Sequence, residues 1–83
     1  MGVVTAITPS GNLSARAAGD WTPPEGTTVV DGSGRFVGRI IRVFGPVARP
    51  YLSVRPRRPP REAEAALLLG ATLVEAEDMH GAD

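Results

Sequence analysis

Apolar side chains in this chain come in short, partly alternating runs, and glycine or proline breaks each run after a few residues. Val3 to Ile7 is an apolar, β-branched run and predicts a first strand. Thr8-Pro9-Ser10-Gly11-Asn12 places proline, glycine and asparagine where a tight turn needs them. Leu13 to Arg16 alternates apolar and polar and predicts a second strand. Ala17 to Gly26 contains Trp21-Thr22-Pro23-Pro24 and reads as a loop, with Trp21 expected to lie over one end of the core. Thr27 to Val30 is a third strand. Asp31-Gly32-Ser33-Gly34 is a hairpin turn of residues that tolerate positive φ. Arg35 to Phe44 is the fourth and longest strand, and Tyr51 to Arg55 the fifth. Arg55 to Arg61, Arg-Pro-Arg-Arg-Pro-Pro-Arg, lacks the amide donors of an interior strand and reads as a linker, part polyproline. Pro60 suits the first position of a helix, and Glu62 and Glu64 suit the positive end of its dipole. A two-turn helix within 61–69 follows, stopped by Gly70. Ala71 to Ala76 is a sixth strand, and Glu77 to Asp83 is a polar, acidic tail expected to fray.

Five or six short strands separated by turns about every eight to twelve residues imply an all-β fold, a small closed or nearly closed barrel with one short helix near the C-terminus. Closure also removes sheet edges that would pair with other chains. The 83 residues allow one domain, placed at 1–76 with 77–83 as a flexible tail. A chain of this size buries only about 60% of its unfolded surface. Cysteine is absent, which suits a reducing cytoplasm. The first residues lack a basic region followed by a long apolar core, and no run approaches the ~20 apolar residues of a membrane span. The expectation is a soluble cytoplasmic protein with no membrane partner.

The fourth strand departs from simple alternation. On a regular strand Val37, Ile41 and Val43 share one face, and Phe36, Ile40 and Phe44 the other. A strand apolar on both faces must bury both, and one small core covers only one of them. The second face is therefore a candidate surface for a partner protein. The strand runs into a rigid Phe44-Gly45-Pro46-Val47 corner, and a second corner follows at Pro50-Tyr51. Proline fixes φ and lowers the ordering cost of docking. Gly45 allows close backbone approach. Val47 and Tyr51 add apolar area, and the Tyr51 hydroxyl suits an interface rim. Filling the core or turning a barrel corner is the plainer role for Phe44, Gly45 and Pro46.

Charge sharpens the picture. Residues 35–61 carry eight arginines and no acid, whereas 62–83 carry six acids and no base, so a formal net charge of zero hides a polarised chain. A basic middle of that density attracts phosphate or an acidic protein surface, unless the acidic end screens it. All nine basic residues are arginine. Arg55, Arg57 and Arg58 are the candidate RNA contacts. Pro56-Arg57-Arg58-Pro59 also fits a proline-rich ligand pattern, although a stiff linker explains it more simply.

Val-Gly-x-Ile-x-x-Val-Phe-Gly-Pro-Val-x-x-Pro-Tyr-x-x-Val-x-Pro, from Val37 to Pro56, resembles the signature of one family. This is the glycine–arginine-rich-protein subunit of H/ACA ribonucleoproteins in its archaeal form. Thr8-Pro9-Ser10-Gly11 is similar to the family's first turn, Val29-Val30-Asp31 to the strand and turn before the signature, and Leu69-Gly70 to its C-terminal end. The resemblance implies a six-stranded Greek-key barrel without catalytic activity. It implies docking on the catalytic subunit of a dyskerin-type pseudouridine synthase, where the barrel influences the loop that grips substrate RNA during rRNA pseudouridylation. Guide and substrate RNA would be met mostly indirectly. The partner-binding residues expected are Val37, Ile41, Gly45, Pro46, Val47, Pro50, Tyr51 and Pro56. The chain departs from the family at Arg42, where an acid is frequent, at Val74, where an aromatic is common, and in its acidic end, where family members carry basic or Gly-Arg-rich tails.

Other chemistry finds little support. Gly32-Ser33-Gly34 with Gly38 imitates a dinucleotide-binding pattern, but a β-branched strand follows where a helix is needed. His80 is the only histidine, so neither a zinc site nor a base for Ser10, Ser14, Ser33 or Ser53 is in prospect. Glu75, Glu77 and Asp78 read as a solvated end. No catalytic residue, metal or cofactor is expected. Two alternatives stay open: an arginine-rich RNA-binding barrel with Phe36, Phe44 and Tyr51 as stacking platforms, and an adaptor barrel of the ribosome-maturation type. An apolar docking patch could also pair with itself when its partner is absent.

Overall fold

Strands β1 (Gly2–Ile7), β2 (Leu13–Ala17), β3 (Thr28–Asp31), β4 (Phe36–Phe44), β5 (Tyr51–Pro56) and β6 (Thr72–Glu75) form a closed barrel in the order β1-β2-β5-β4-β3-β6. The computed structural model describes residues 1–19, 21 and 23–76; the tail assigned to 77–83, with His80, lies outside them. All strand pairs are antiparallel. β3, β4 and β5 form a meander, and β2 returns beside β5, which makes the Greek key. A seven-residue helix, α1 (Glu62–Leu68), links β5 to β6. No helix among the described residues is long and apolar enough to cross a membrane.

The interior comes from alternate strand positions, as period-2 patterning requires. Val4, Leu13, Ala15, Val29, Val37, Ile40, Leu52, Val54 and Leu73 form the buried cluster, and Trp21 and Leu68 pack against it from outside the strands. Trp21 donates its indole N–H to Glu75 Oε1 at 3.2 Å, so its ring is oriented as well as packed. The hairpin at 31–34 closes through Asp31 N–H to Arg35 O and Gly34 N–H to Asp31 O, both 2.9 Å.

Two bulges correct the reading of the fourth strand. Against β3 the register passes from Val29↔Gly38 to Val30↔Phe36, which leaves Val37 as the extra residue. Against β5 it passes from Ile40↔Val54 to Arg42↔Ser53, which leaves Ile41 extra. Each bulge resets the alternation. Val37 and Ile40 therefore both point into the core, and Val43 is half-buried, while Phe36, Ile41 and Phe44 face outward. Val37, Ile41 and Val43 do not share a face. The strand has one core face and an outer face carrying three exposed apolar side chains.

The strand–linker–helix junction also differs. β5 continues through Pro56, which pairs with Gly38 at the end of the ladder, where a missing amide costs least. The helix starts two residues later than its proline suggests, at Glu62. Arg61 is the N-cap because Glu64 Oε1 accepts its N–H at 2.9 Å, which leaves Pro60 outside the helix. The helix ends at Leu68, and Gly70 follows with φ 83°.

Two carboxylates support these turns. Asp31 accepts from the Ser33 hydroxyl (2.7 Å) and from the Ser33 and Arg35 amides (2.9 and 3.0 Å), and these bonds, the hydroxyl's first, hold its pKa below the ordinary 3.8. The Arg61 amide, helped by the Arg58 and Arg61 charges, holds Glu64 below the ordinary 4.5. Depressed folded values mean a contribution fully present above the ordinary values and lost as pH falls through the folded ones. Melting temperature is expected to be level down to about pH 5 and to decline below it, and the Asp31→Asn/Glu64→Gln variant to show a shallower decline. Thermal melts across pH check both.

Candidate functional site

The Gly45–Pro50 corner joins β4 to β5 and projects from one end of the barrel. Cross-strand pairing sets Phe44 opposite Tyr51, and their rings stack with centroids 5.8 Å apart and planes 21° apart. Val47 at the tip is 92% exposed, between Pro46, also exposed, and the buried Pro50. Ile41 and Phe44 continue the apolar surface along β4, at 37% and 38% exposure. The loop is short, carries two prolines and stands on an aromatic pair, so its apolar tip is pre-shaped.

Gly45 has a reason of its own. Its φ is 91°, where a side chain is strained, and an added Cβ would lie 2.9 Å from Tyr51 Cδ2. The close approach that this glycine permits is to Tyr51 of the same chain, not to a partner's backbone. Glycine here lets the ring close down on the corner.

The aromatic pair is flanked by arginines. Arg16, opposite Tyr51 on β2, lays its guanidinium 4.4 Å from the Tyr51 ring centroid. It donates to the Tyr51 hydroxyl at 2.6 Å and to the Arg49 carbonyl at 3.2 Å, tying the corner to the body of the barrel. Arg42 lies over Phe44 at 4.9 Å. The stack therefore runs Arg16, Tyr51, Phe44, Arg42 across three strands, held by cation–π and ring contacts.

The expected partner-binding residues do not all meet. Gly45, Pro46, Val47 and Tyr51 come together, with Ile41 adjoining along the outer face. Val37 is 8% exposed and belongs to the core because of the β3–β4 bulge. Pro50 is buried, and its carbonyl accepts the Ala17 N–H at 2.9 Å, so it anchors the corner from inside. Pro56 is at the far end of β5, roughly 17 Å from Tyr51 at ~3.4 Å per residue. There it lines a groove of about 430 Å³ with Phe36, Arg57, Leu67 and Leu68. Arg55 is exposed on the outer face opposite Arg39. Arg57 lies over the Phe36 ring at 5.3 Å, and Arg58 pairs with Glu64 at 3.1 Å. That is the one salt bridge among the described residues, so the acidic segments leave most of the arginine charge uncompensated there. Among the same residues no cluster of histidine, cysteine, aspartate or glutamate could hold a metal.

Arg16 escaped the sequence reading. It is the lone arginine of the first 34 residues, and only the β2–β5 pairing brings it to Tyr51, 35 positions away.

No protein-family model matches the chain. An uncharacterised protein of Methanothermobacter thermautotrophicus is 31% identical over 58 residues, a segment that takes in 70% of this chain. The match spans 61% of that protein's length.

Proposed function

We propose that the chain is a non-catalytic subunit of an H/ACA ribonucleoprotein, docking through its Gly45–Tyr51 corner on a dyskerin-type pseudouridine synthase. The observation that carries this reading is the corner itself. A short loop with an almost fully exposed valine at its tip, two prolines and a stacked aromatic base offers apolar area already ordered for contact. Phe44-Gly45-Pro46-Val47 and Pro50-Tyr51, the most distinctive part of the pattern that the sequence resembles, build this corner, with Val47 exposed at its tip. The closed six-stranded barrel is the scaffold that the resemblance implies.

The mechanism is a shift in populations. A barrel that touches the enzyme's RNA-gripping loop in one of its states stabilises that state, and a difference of about 1.4 kcal/mol changes the balance tenfold. Substrate loading and product release change with it, without a reacting group on this chain. A pulldown with tagged protein from a lysate of the source cell, with and without nuclease, tests the reading. Recovery of a pseudouridine synthase that survives nuclease is the expected result. Loss of the synthase on nuclease treatment contradicts direct docking.

A further inference from the structure

On the outer face of β2, β5 and β4, Arg39 and Arg55 stand directly opposite one another, both exposed. Like charges in directly opposed positions destabilise a sheet. Among the described residues neither makes a salt bridge, and β2, β4 and β5, which build this face, contain no aspartate or glutamate. The next row across is Ser14, Ser53 and Arg42, and the one after it Arg16, Tyr51 and Phe44. Arginine thus recurs along the face, with small hydroxyls between and an aromatic pair at its end. Below Arg55 the face opens into a cleft of about 160 Å³ between the first turn and the linker, lined by Ser10, Asn12, Arg57 and Arg58 among others and without a carboxylate.

We infer that this face binds the sugar–phosphate backbone of single-stranded RNA, along a track from the Asn12–Arg57 cleft across Arg55 and Arg39 to Arg42 and Arg16. Phosphate is the ligand chemistry because the unrelieved Arg39–Arg55 repulsion is removed by an anion placed between the two guanidiniums. A single strand is favoured over a duplex by the short track, about 14 Å from Arg55 to Tyr51 along β5 at ~3.4 Å per residue, and by the flat guanidinium–ring stack at its end, on which an unpaired base can lie. The track meets the proposed docking corner at Tyr51 but does not rest on it, because Arg39 and Arg55 lie toward the other end of the face.

The test uses the whole chain alone and a fluorescein-labelled uridine oligonucleotide of about eight nucleotides, followed by anisotropy across salt concentrations. Expected is binding that weakens with salt, with a log–log slope of about 0.7 per phosphate contacted. The Arg39→Gln/Arg55→Gln variant is expected to bind about tenfold more weakly, with the slope reduced by about 1.4, and to melt no lower than the parent because a like-charge pair has been removed. Salt-insensitive or undetectable binding overturns the inference, as does a folded variant with unchanged affinity and slope. Tighter binding of duplex RNA overturns the single-strand assignment, and a polyglutamate peptide that competes as well as the oligonucleotide points to an acidic protein instead. With no synthase in the experiment, none of these outcomes bears on docking at the corner.

Discussion

Replacing Gly38 with valine is expected to cost the barrel most of its stability. Gly38 lies inside the β3–β4–β5 ladder, paired with Val29 on one side and Pro56 on the other. A Cβ there would sit 2.5 Å from the Arg55 carbonyl oxygen and 2.9 Å from Val54 Cγ1. Neither neighbour yields easily, because one is strand backbone and the other a fully buried side chain. Overpacking of this kind costs about 1–3 kcal/mol or more, and small domains hold little in reserve. About 1 kcal/mol moves the melting temperature of such a domain by roughly 4–8 °C. Gly38→Ala is therefore expected to melt many degrees lower, and Gly38→Val to be largely unfolded at physiological temperature. Gly32→Ala is the control, since an added Cβ there meets nothing within 4 Å. Circular dichroism melts separate the three, and a Gly38→Val protein that melts with the parent would show that β4 and β5 can move apart at little cost.

The second large effect concerns binding. Val47→Asp is expected to leave the fold alone, within about 0.5 kcal/mol, because its side chain stands almost free in solvent. On the proposed account it weakens docking at least tenfold, about 1.4 kcal/mol, by placing a charge in an apolar contact without a partner for it. Co-elution with the RNA-free synthase on a sizing column, alongside a thermal melt, checks both halves. Gly45 is a poorer test, since a side chain there strains the backbone and displaces Tyr51 before any partner is met.

The strands, the helix and a barrel closed or nearly so were legible in the sequence, because glycine and proline bound each run and the runs alternate, while the definite count of six strands came with the family resemblance. Bulges were not. A strand of nine residues reads as two apolar faces unless one knows that Val37 and Ile41 are each squeezed out of a ladder, and that depends on the register of strands far away in the chain. The error moved Val37 from core to surface and Ile40 to the same side as Phe44. The corner at 44–51 could be read because its prolines and glycine are local signals. Its buttress could not, since Arg16 reaches Tyr51 only through β2–β5 pairing. The same pairing turns a count of arginines into a face: composition gave a basic middle, and register set Arg39 against Arg55.

The most direct measurement is a calorimetric titration of this chain into the purified, RNA-free catalytic subunit of the source cell's pseudouridine synthase. Saturable binding at one barrel per synthase is expected, little affected by salt because the contact is apolar. No heat and no complex at micromolar concentrations, or binding that returns only when guide RNA is added, would contradict direct docking.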